Sequence, residues 1–247
     1  SFENQGGEIV LLAGMEAGHT LVSGSLDASA PDQGDGGFIE TSAAKVTIED
    51  TATITTKATD GNSGTWLIDP VDFTIAASGG DMTGATLTTN LASGNVIIQS
   101  TSGGSGTAGD LNVNDSVSWS ANKLTLNAQN DIKVSATMTA TNTASLALEY
   151  GQSAVAASNT SKFTTSGASI SLPASTTNLT TKQGSDGTVK NYTVITSLGA
   201  EGSTTATDLQ GMQGGLSTNY AMGADIDAAA TSGWTNTWNP VGNDIVK

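Results

Sequence analysis

The sequence contains no cysteine and no arginine among its 247 residues, and only 13% of the residues are charged. The lack of cysteine excludes disulfides, thiolate metal ligands and a cysteine nucleophile. The lack of arginine removes the side chain best suited to bidentate binding of phosphate. With eight lysines against 23 acidic residues the net charge is −15. The sequence therefore predicts neither nucleic-acid binding nor binding to an anionic membrane.

Long apolar runs are also missing. No stretch of about 18 apolar residues occurs, so we expect no membrane insertion by an apolar helix. The first residues, Ser1-Phe-Glu-Asn4, do not follow the pattern of a signal peptide. We therefore expect a processed chain or an interior or C-terminal piece of a longer one.

The missing residue classes are replaced by small polar residues: 38 Thr, 30 Gly, 28 Ser and 17 Asn. Thr favours strands because it is β-branched, whereas Gly, Asn and Ser favour turns. Disorder is the competing interpretation of such a composition. Regular alternation of apolar residues along most of the chain favours many short strands joined by tight turns.

The strand signal is a pair of apolar residues two positions apart, as in Val46-Thr-Ile48, Phe73-Thr-Ile75 and Ile132-Lys-Val134. No segment keeps a helical apolar period over three turns, and residues 136–147 are too rich in β-branched residues for a helix. The short strands recur at roughly twenty residues per cycle, which favours a parallel β-helix of about nine or ten coils over residues 1–195. An antiparallel sandwich is the alternative. The expected buried positions include Phe38, Ile48, Trp66, Ile75, Ile98, Leu126 and Leu148.

The texture of the sequence changes near residue 195, which divides the chain into a shaft, 1–195, and a Gly-rich terminal module, 196–247. We expect the module to continue or cap the stack with its apolar residues: Leu209, Met212, Leu216, Tyr220, Met222, Ile226, Trp234 and Trp238. At least one of the two tryptophans should be buried. The alternative is that Tyr220, Trp234 and Trp238 form an exposed platform for sugars.

The search for catalytic chemistry yields only weak candidates. His19 is the single histidine, and it lies at a step from a turn to a strand, so we interpret it as a solvated residue. Asp69 and Asp72 straddle an expected turn and would not share a strand face. Asp225 and Asp227 would share one face by the two-residue period of a strand. Sugar clefts also need basic and aromatic partners, which are scarce here, so we predict no catalytic residues and no enzymatic activity.

The binding candidates are equally weak. Residues 103–111 faintly resemble a calcium-binding glycine repeat, but Ala108 stands where Asp is needed. Asp225 and Asp227 could also hold a cation with backbone carbonyls. Four Asn-x-Ser/Thr sequons and one loose group of lysines complete the set: Asn114, Asn159, Asn178, Asn191, Lys162, Lys182 and Lys190. We predict no metal site and no cofactor, and the residues that bind a partner stay unknown.

Several segments carry a resemblance to known proteins. Gly36-Gly-Phe-Ile-Glu-Thr-Ser42, Ala44-Lys-Val-Thr-Ile48 and Gly64-Thr-Trp-Leu-Ile-Asp-Pro70 resemble filamentous haemagglutinin-type exoproteins, which include the high-molecular-weight adhesins. The Trp-Leu-Ile-Asp-Pro run is the most specific. Val117-Ser-Trp-Ser120 is similar to the coils of that family, and residues 209–242 resemble short Gly-rich repeats of related surface proteins.

The resemblance implies a right-handed parallel β-helix in a large protein secreted to the bacterial cell surface by the two-partner route. It implies adhesion to host cells, surfaces or other bacteria, through host or bacterial glycans or proteins, and a role in virulence or biofilms. It also implies an outer-membrane transporter as partner, but the secretion domain that engages it is not in this sequence. Two alternatives stay open: a carbohydrate-active β-helix enzyme, and a spacer that binds nothing and projects a distal tip.

Overall fold

The computed structural model describes residues 6–100 and 108–235. Strands account for 39% of the residues and helices for 8%, which confirms the all-β class. The strands in chain order are β1 (Glu8–Leu12), β2 (His19–Val22), β3 (Ser25–Asp27), β4 (Phe38–Ser42), β5 (Lys45–Ile48), β6 (Thr53–Thr55), β7 (Thr65–Asp69), β8 (Phe73–Ile75), β9 (Asn95–Gln99), β10 (Leu111–Val113), β11 (Val117–Trp119), β12 (Lys123–Asn127), β13 (Ile132–Val134), β14 (Met138–Ala140), β15 (Ser145–Tyr150), β16 (Phe163–Thr165), β17 (Ile170–Ser171), β18 (Ser175–Gln183), β19 (Lys190–Ile195) and β20 (Tyr220–Met222). One α-helix, α1 (Gly84–Leu91), lies between β8 and β9, and two 3-10 helices, Gln210–Gly214 and Ala229–Gly233, lie in the last forty residues of the described chain.

The largest sheet has nine strands in the order β1-β4-β7-β9-β12-β15-β18-β19-β20. Every neighbouring pair is parallel except β18 and β19, which are antiparallel. The parallel pairs stack without offset, so that the partners of one column are residues 9, 39, 66, 96, 124, 146 and 179. The intervals range from 22 residues, between 124 and 146, to 33, between 146 and 179. The chain thus returns to this sheet seven times in parallel, with longer cycles and fewer coils than the sequence predicted.

Between successive returns the chain adds one strand to each of two further sets. The second set contains β2-β5 and β8-β10-β13-β16, and the third contains β3-β6 and β11-β14-β17. One strand of the large sheet with the elements that follow it is called a level, so that β12, β13 and β14 form the fifth level. Along the second set the outward positions hold Thr74, Asn112, Lys133 and Thr164 in register. This column matches the expected ladders of small polar residues except at Lys133.

The side chains that point between the three sets form one continuous apolar cluster from Val22 to Val194. Trp66, Ile68, Ile98 and Leu126 in this cluster are almost completely buried. Trp66 also satisfies its indole N–H, which donates to Thr41 Oγ1 at 3.1 Å. The core therefore runs along the stack rather than between two faces of a sandwich.

Six of the seven expected core residues are buried, and Phe38 is the exception. Ile39 is the inward residue of β4, because it stacks between Ile9 and Trp66. Phe38 is half-buried on the outer face, in register with Glu8 and Thr65. The prediction for Phe38 was wrong because adjacent apolar residues do not reveal which of them follows the two-residue period.

The third level departs from the strand pattern, since α1 replaces a strand of the third set. The helix begins after Thr83, whose hydroxyl accepts a hydrogen bond from the Thr86 N–H at 3.2 Å. Side chains connect it to both neighbouring levels: Ile54 N donates to Asn90 Oδ1 below, and Ser118 N donates to Thr88 Oγ1 above. The expectation of no helix was wrong, because capping and burial of one helical face override the β-branched composition.

Glycines stack at the corner that precedes the large sheet, and we call this the glycine corner. Gly37 and Gly64 stand directly before β4 and β7. A Cβ atom on Gly37 would overlap the carbonyl oxygen of Gly7, and a Cβ atom on Gly64 would overlap that of Gly37. At this corner the backbones of successive levels therefore approach each other too closely for any side chain.

The last forty residues of the described chain join the end of the stack through β20, which pairs with β19. Gly223 extends this contact, because its N–H donates to the Ile195 carbonyl and its own carbonyl accepts from Leu172 N. Trp234 is half-buried and Trp238 lies outside the described residues. Leu216 and Met222 are each 52% exposed, so these two residues do not supply the buried cover that the sequence suggested.

Candidate functional site

Aspartates stack at the corner that precedes the second set, and we call this the carboxylate corner. Asp72, Asp110 and Asp131 stand directly before β8, β10 and β13. Each carboxylate accepts the backbone N–H of the corresponding residue one level further on. Asp72 Oδ1 accepts from Asp110 N at 2.9 Å, Asp110 Oδ1 from Asp131 N at 3.0 Å, and Asp131 Oδ1 from Lys162 N at 2.9 Å. The corner is thus a ladder of side-chain bonds between levels.

Asp110 is the most enclosed member of the ladder, with 9% of its surface exposed. Its carboxylate also accepts from Asn130 Nδ2 at 2.9 Å and forms an ion pair with Lys133 Nζ. Burial raises the pKa of Asp110, but the hydrogen bonds from Lys133, Asp131 and Asn130 and the Lys133 charge outweigh it, so the pKa is lowered. The carboxyl group is therefore held ionised and fully hydrogen-bonded, which suits a structural role rather than proton transfer.

A second group of carboxylates lines a shallow depression between β5 and α1. Its volume is about 310 Å³, and Glu49, Asp50, Asp81, Ser78 and Thr83 are among the residues around it. Asp50 lies before β6 and Asp81 before α1, 31 positions apart in sequence. That separation matches one cycle of the stack, so the sequence signal for this pairing existed but needed the correct period.

The two aspartates of the depression lie in contrasting environments. Burial raises the pKa of Asp81, and a hydrogen bond from Thr74 N with the charges of Lys45 and His19 only partly offsets this. Hydrogen bonds from Thr83 Oγ1 and Thr86 Oγ1 lower the pKa of Asp50. Carboxyl groups whose pKa values are displaced in opposite directions are the usual material of acid–base chemistry.

The structure separates Asp69 and Asp72, as the turn between them predicted. Asp69 ends β7 on the outer face of the large sheet, in register with Ser42. Asp72 begins the carboxylate corner. His19 is exposed at the start of β2, and its Nε2 lies 3.0 Å from Thr47 Oγ1. Neither the aspartate pair nor His19 meets a hydroxyl and a second acid in a shared cleft.

Asp225 and Asp227 do not form a strand face, because β20 ends at Met222 and both residues are exposed. Asp227 Oδ1 instead accepts from Ala229 N at 2.8 Å, at the start of a 3-10 helix. The expectation that the two-residue period would align these carboxylates was wrong for this reason. In residues 6–100 and 108–235, no three His, Asp or Glu side chains are grouped in a way that could hold a metal ion.

The remaining sequence candidates are scattered over the stack. Residues 103–107 of the glycine-rich segment lie outside the described residues, and its Asp110 serves the carboxylate corner. Of the sequons, Asn114 and Asn191 are exposed, whereas Asn159 is half-buried and Asn178 is buried. Of the three lysines, Lys162 and Lys190 are exposed and Lys182 is half-buried, near the end of the parallel stack.

Sequence reasoning missed the carboxylate corner, although its signal was present. An aspartate precedes the apolar pair in Asp72-Phe-Thr-Ile75, Asp110-Leu-Asn-Val113 and Asp131-Ile-Lys-Val134. In a repeating fold, a polar residue at a fixed distance from each inward pair predicts a stacked column.

No protein-family model, curated protein or solved structure gives a significant match to this chain. Among the helices in the described part of the chain, none is long and apolar enough to cross a membrane.

Proposed function

We propose that this chain is a segment of the shaft of a large secreted bacterial surface adhesin, wound as a right-handed parallel β-helix. The observation that carries the proposal is the stack of seven parallel strands in register, with two further strand sets added at each return. The hand follows from the strong preference of parallel β-crossovers for the right-handed connection. At about 4.8 Å per strand, these seven strands span roughly 30 Å along the axis.

The resemblance to filamentous haemagglutinin-type exoproteins supports the adhesin part of the proposal. The segment around Trp66, which carries the most specific likeness, forms β7 at the centre of the N-terminal half of the large sheet. Secretion by the two-partner route, with an outer-membrane transporter that acts on another part of the protein, and display on the cell surface belong to the same proposal.

Exposed apolar residues favour an adhesive segment over a spacer that binds nothing. Val10, Leu12 and Leu21 in the first level are 44%, 66% and 53% exposed. Large apolar side chains gathered on a protein surface often mark an interaction site. The direct test is a glycan array and a cell-binding assay with the full chain, compared with the Val10→Ser, Leu12→Ser double variant. Binding that the double variant loses supports the adhesive segment, whereas no binding at all supports the spacer.

The contrasting environments of Asp50 and Asp81 favour a second candidate, a carbohydrate-active enzyme of the same fold. A reducing-sugar assay on acidic and neutral polysaccharides tests it directly. Hydrolysis by the native chain that is lost in Asp81→Asn and in Asp50→Asn would support the enzyme. Hydrolysis that survives both substitutions would come from elsewhere, and its absence supports the shaft.

A further inference from the structure

The three strand sets end at different heights, which leaves a notch at the C-terminal end of the stack. The large sheet continues through β18, β19 and β20, whereas no described strand lies beyond β16 or β17. The resulting cavity has a volume of about 360 Å³. Its floor is formed by inward residues of the sixth level such as Phe163 and Ile170, and its wall by Leu179 and Tyr192 of the continuing sheet.

One side of β16 offers its backbone to a further strand. On the other side, Ile132 N donates to Lys162 O and Ser166 N donates to Val134 O, both toward β13. Because alternate residues of a parallel strand face opposite neighbours, the N–H and C=O groups of Phe163 and Thr165 face the notch. β16 has β13 as its one partner in the described sheets. Phe163 is 38% exposed at this edge.

The charge around the notch is opposite to that of the molecule as a whole. The residues that line it include no carboxylate. Lys162 stands at the position that Asp72, Asp110 and Asp131 occupy at earlier levels of the second set. Lys190 is the register partner of Thr181, which lines the notch, so it lies on the same sheet face. In a chain of net charge −15, two lysines here make the notch complementary to an acidic segment.

We propose that the notch binds an extended acidic–apolar segment of a partner polypeptide, which adds a parallel strand to β16. The second set itself indicates the chemistry of this segment. Its earlier strands insert two apolar side chains separated by one residue, directly after an aspartate, as in Asp72-Phe-Thr-Ile75. A segment of this pattern would place its acid beside Lys162 and its apolar pair in the notch. Strand addition of this kind draws affinity from backbone bonds and specificity from alternate side chains.

The test uses the full chain and a fluorescent, end-blocked peptide that copies residues 71–77, Val-Asp-Phe-Thr-Ile-Ala-Ala, with fluorescence anisotropy as the readout. We expect saturable binding. A peptide with Phe73→Asp and Ile75→Asp, which is more acidic but lacks the apolar pair, should not bind. A peptide with Asp72→Lys should bind at least about tenfold more weakly, because it places a cation beside Lys162.

Backbone methylation of the peptide tests strand addition without altering the protein. In the earlier strands, the residue that corresponds to Thr74 faces the previous level, since Asn114 N of the same parity donates to the Ile75 carbonyl. An N-methyl group on the peptide threonine should therefore abolish binding. An N-methyl group on the isoleucine, which faces away from β16, should leave binding within about twofold.

Two protein variants complete the test. Lys162→Glu should weaken binding of the native peptide about tenfold and improve binding of the Asp72→Lys peptide, whereas Lys57→Glu, at an exposed site in the second level, should change neither. No saturable binding, equal binding of the two methylated peptides, or binding that Lys162→Glu leaves unchanged would each overturn the proposal. Binding of a small apolar dye without binding of the peptide would also overturn it, by making the notch a site for small molecules.

Discussion

The glycine corner and the carboxylate corner solve the same problem at two edges of one stack. At the glycine corner the backbones of successive levels touch, and the absence of side chains is what permits the contact. At the carboxylate corner the backbones connect through aspartate side chains, which accept the N–H groups of the next level. The first solution depends on volume and is independent of pH, whereas the second depends on charge. Substitutions at the two corners should therefore fail in different ways.

The largest effect should come from Gly64→Ala. The new Cβ atom would overlap the Gly37 carbonyl, and the neighbouring backbone cannot move without disturbing the pairing of β4 with β7. We expect a loss of about 3 kcal/mol in the free energy of unfolding, measured by thermal and denaturant unfolding. Gly7→Ala is the matched control, since nothing lies within 4 Å of its added Cβ atom. Equal losses in both variants would mean that glycine acts through the unfolded chain and not through contact.

Asp110→Ala should cost less, about 2 kcal/mol, because it leaves a backbone N–H, an amide and a lysine of an enclosed site without their acceptor. Asp131→Ala is the comparison at the same corner, since the Asp131 carboxylate accepts one backbone N–H, that of Lys162. The measurement is again the midpoint of unfolding. A loss in Asp131→Ala as large as that in Asp110→Ala would contradict the special importance of the enclosed carboxylate.

The carboxylate corner should also make stability depend on pH. The folded pKa of Asp110 is lowered, so its contribution is present above the unfolded pKa of an aspartate and is lost as the pH falls through the folded pKa. Asp81 has the opposite sign, because its raised folded pKa favours the protonated form and its contribution is lost as the pH rises. Melting temperatures between pH 6 and strong acid should therefore fall less steeply in Asp110→Asn than in the native chain. In Asp81→Asn they should fall more steeply, and a slope unchanged in both variants would refute this assignment.

The smallest effect should come from Lys133→Gln. The Lys133 side chain is 46% exposed, so solvent screens its ion pair with Asp110, and Gln can still donate a hydrogen bond. We expect a loss below about 1 kcal/mol that shrinks as salt is added. A larger, salt-independent loss would show that the lysine packs against the corner rather than pairing with it.

The sequence was sufficient for the fold class and for most of the core, because the two-residue period of the inward residues is visible in each short strand. It failed where two apolar residues are adjacent, as at Phe38 and Ile39, since only the stacking of Ile39 on Ile9 and Trp66 decides which one points inward. It also failed at α1, because the Thr83 cap and the contacts of Asn90 are tertiary features.

The length of the repeat was the other source of error. A cycle of roughly twenty residues could not align Asp50 with Asp81, or reveal that Asp72, Asp110 and Asp131 share one corner. The observed intervals of 22 to 33 residues vary because loops such as 76–83 and 151–162 differ in length between levels. Variation of this kind hides a repeat from any reading that assumes a constant period.

The helix at the third level has a mechanical consequence. A pull along the stack strains the hydrogen bonds between levels lengthwise, and most levels share that tension among three sets of backbone pairs. Across the third level, part of the tension passes instead through single side-chain contacts, Ile54 to Asn90 and Ser118 to Thr88. Under axial force the stack should therefore part first beside α1, and its two ends should come away as separate folded pieces.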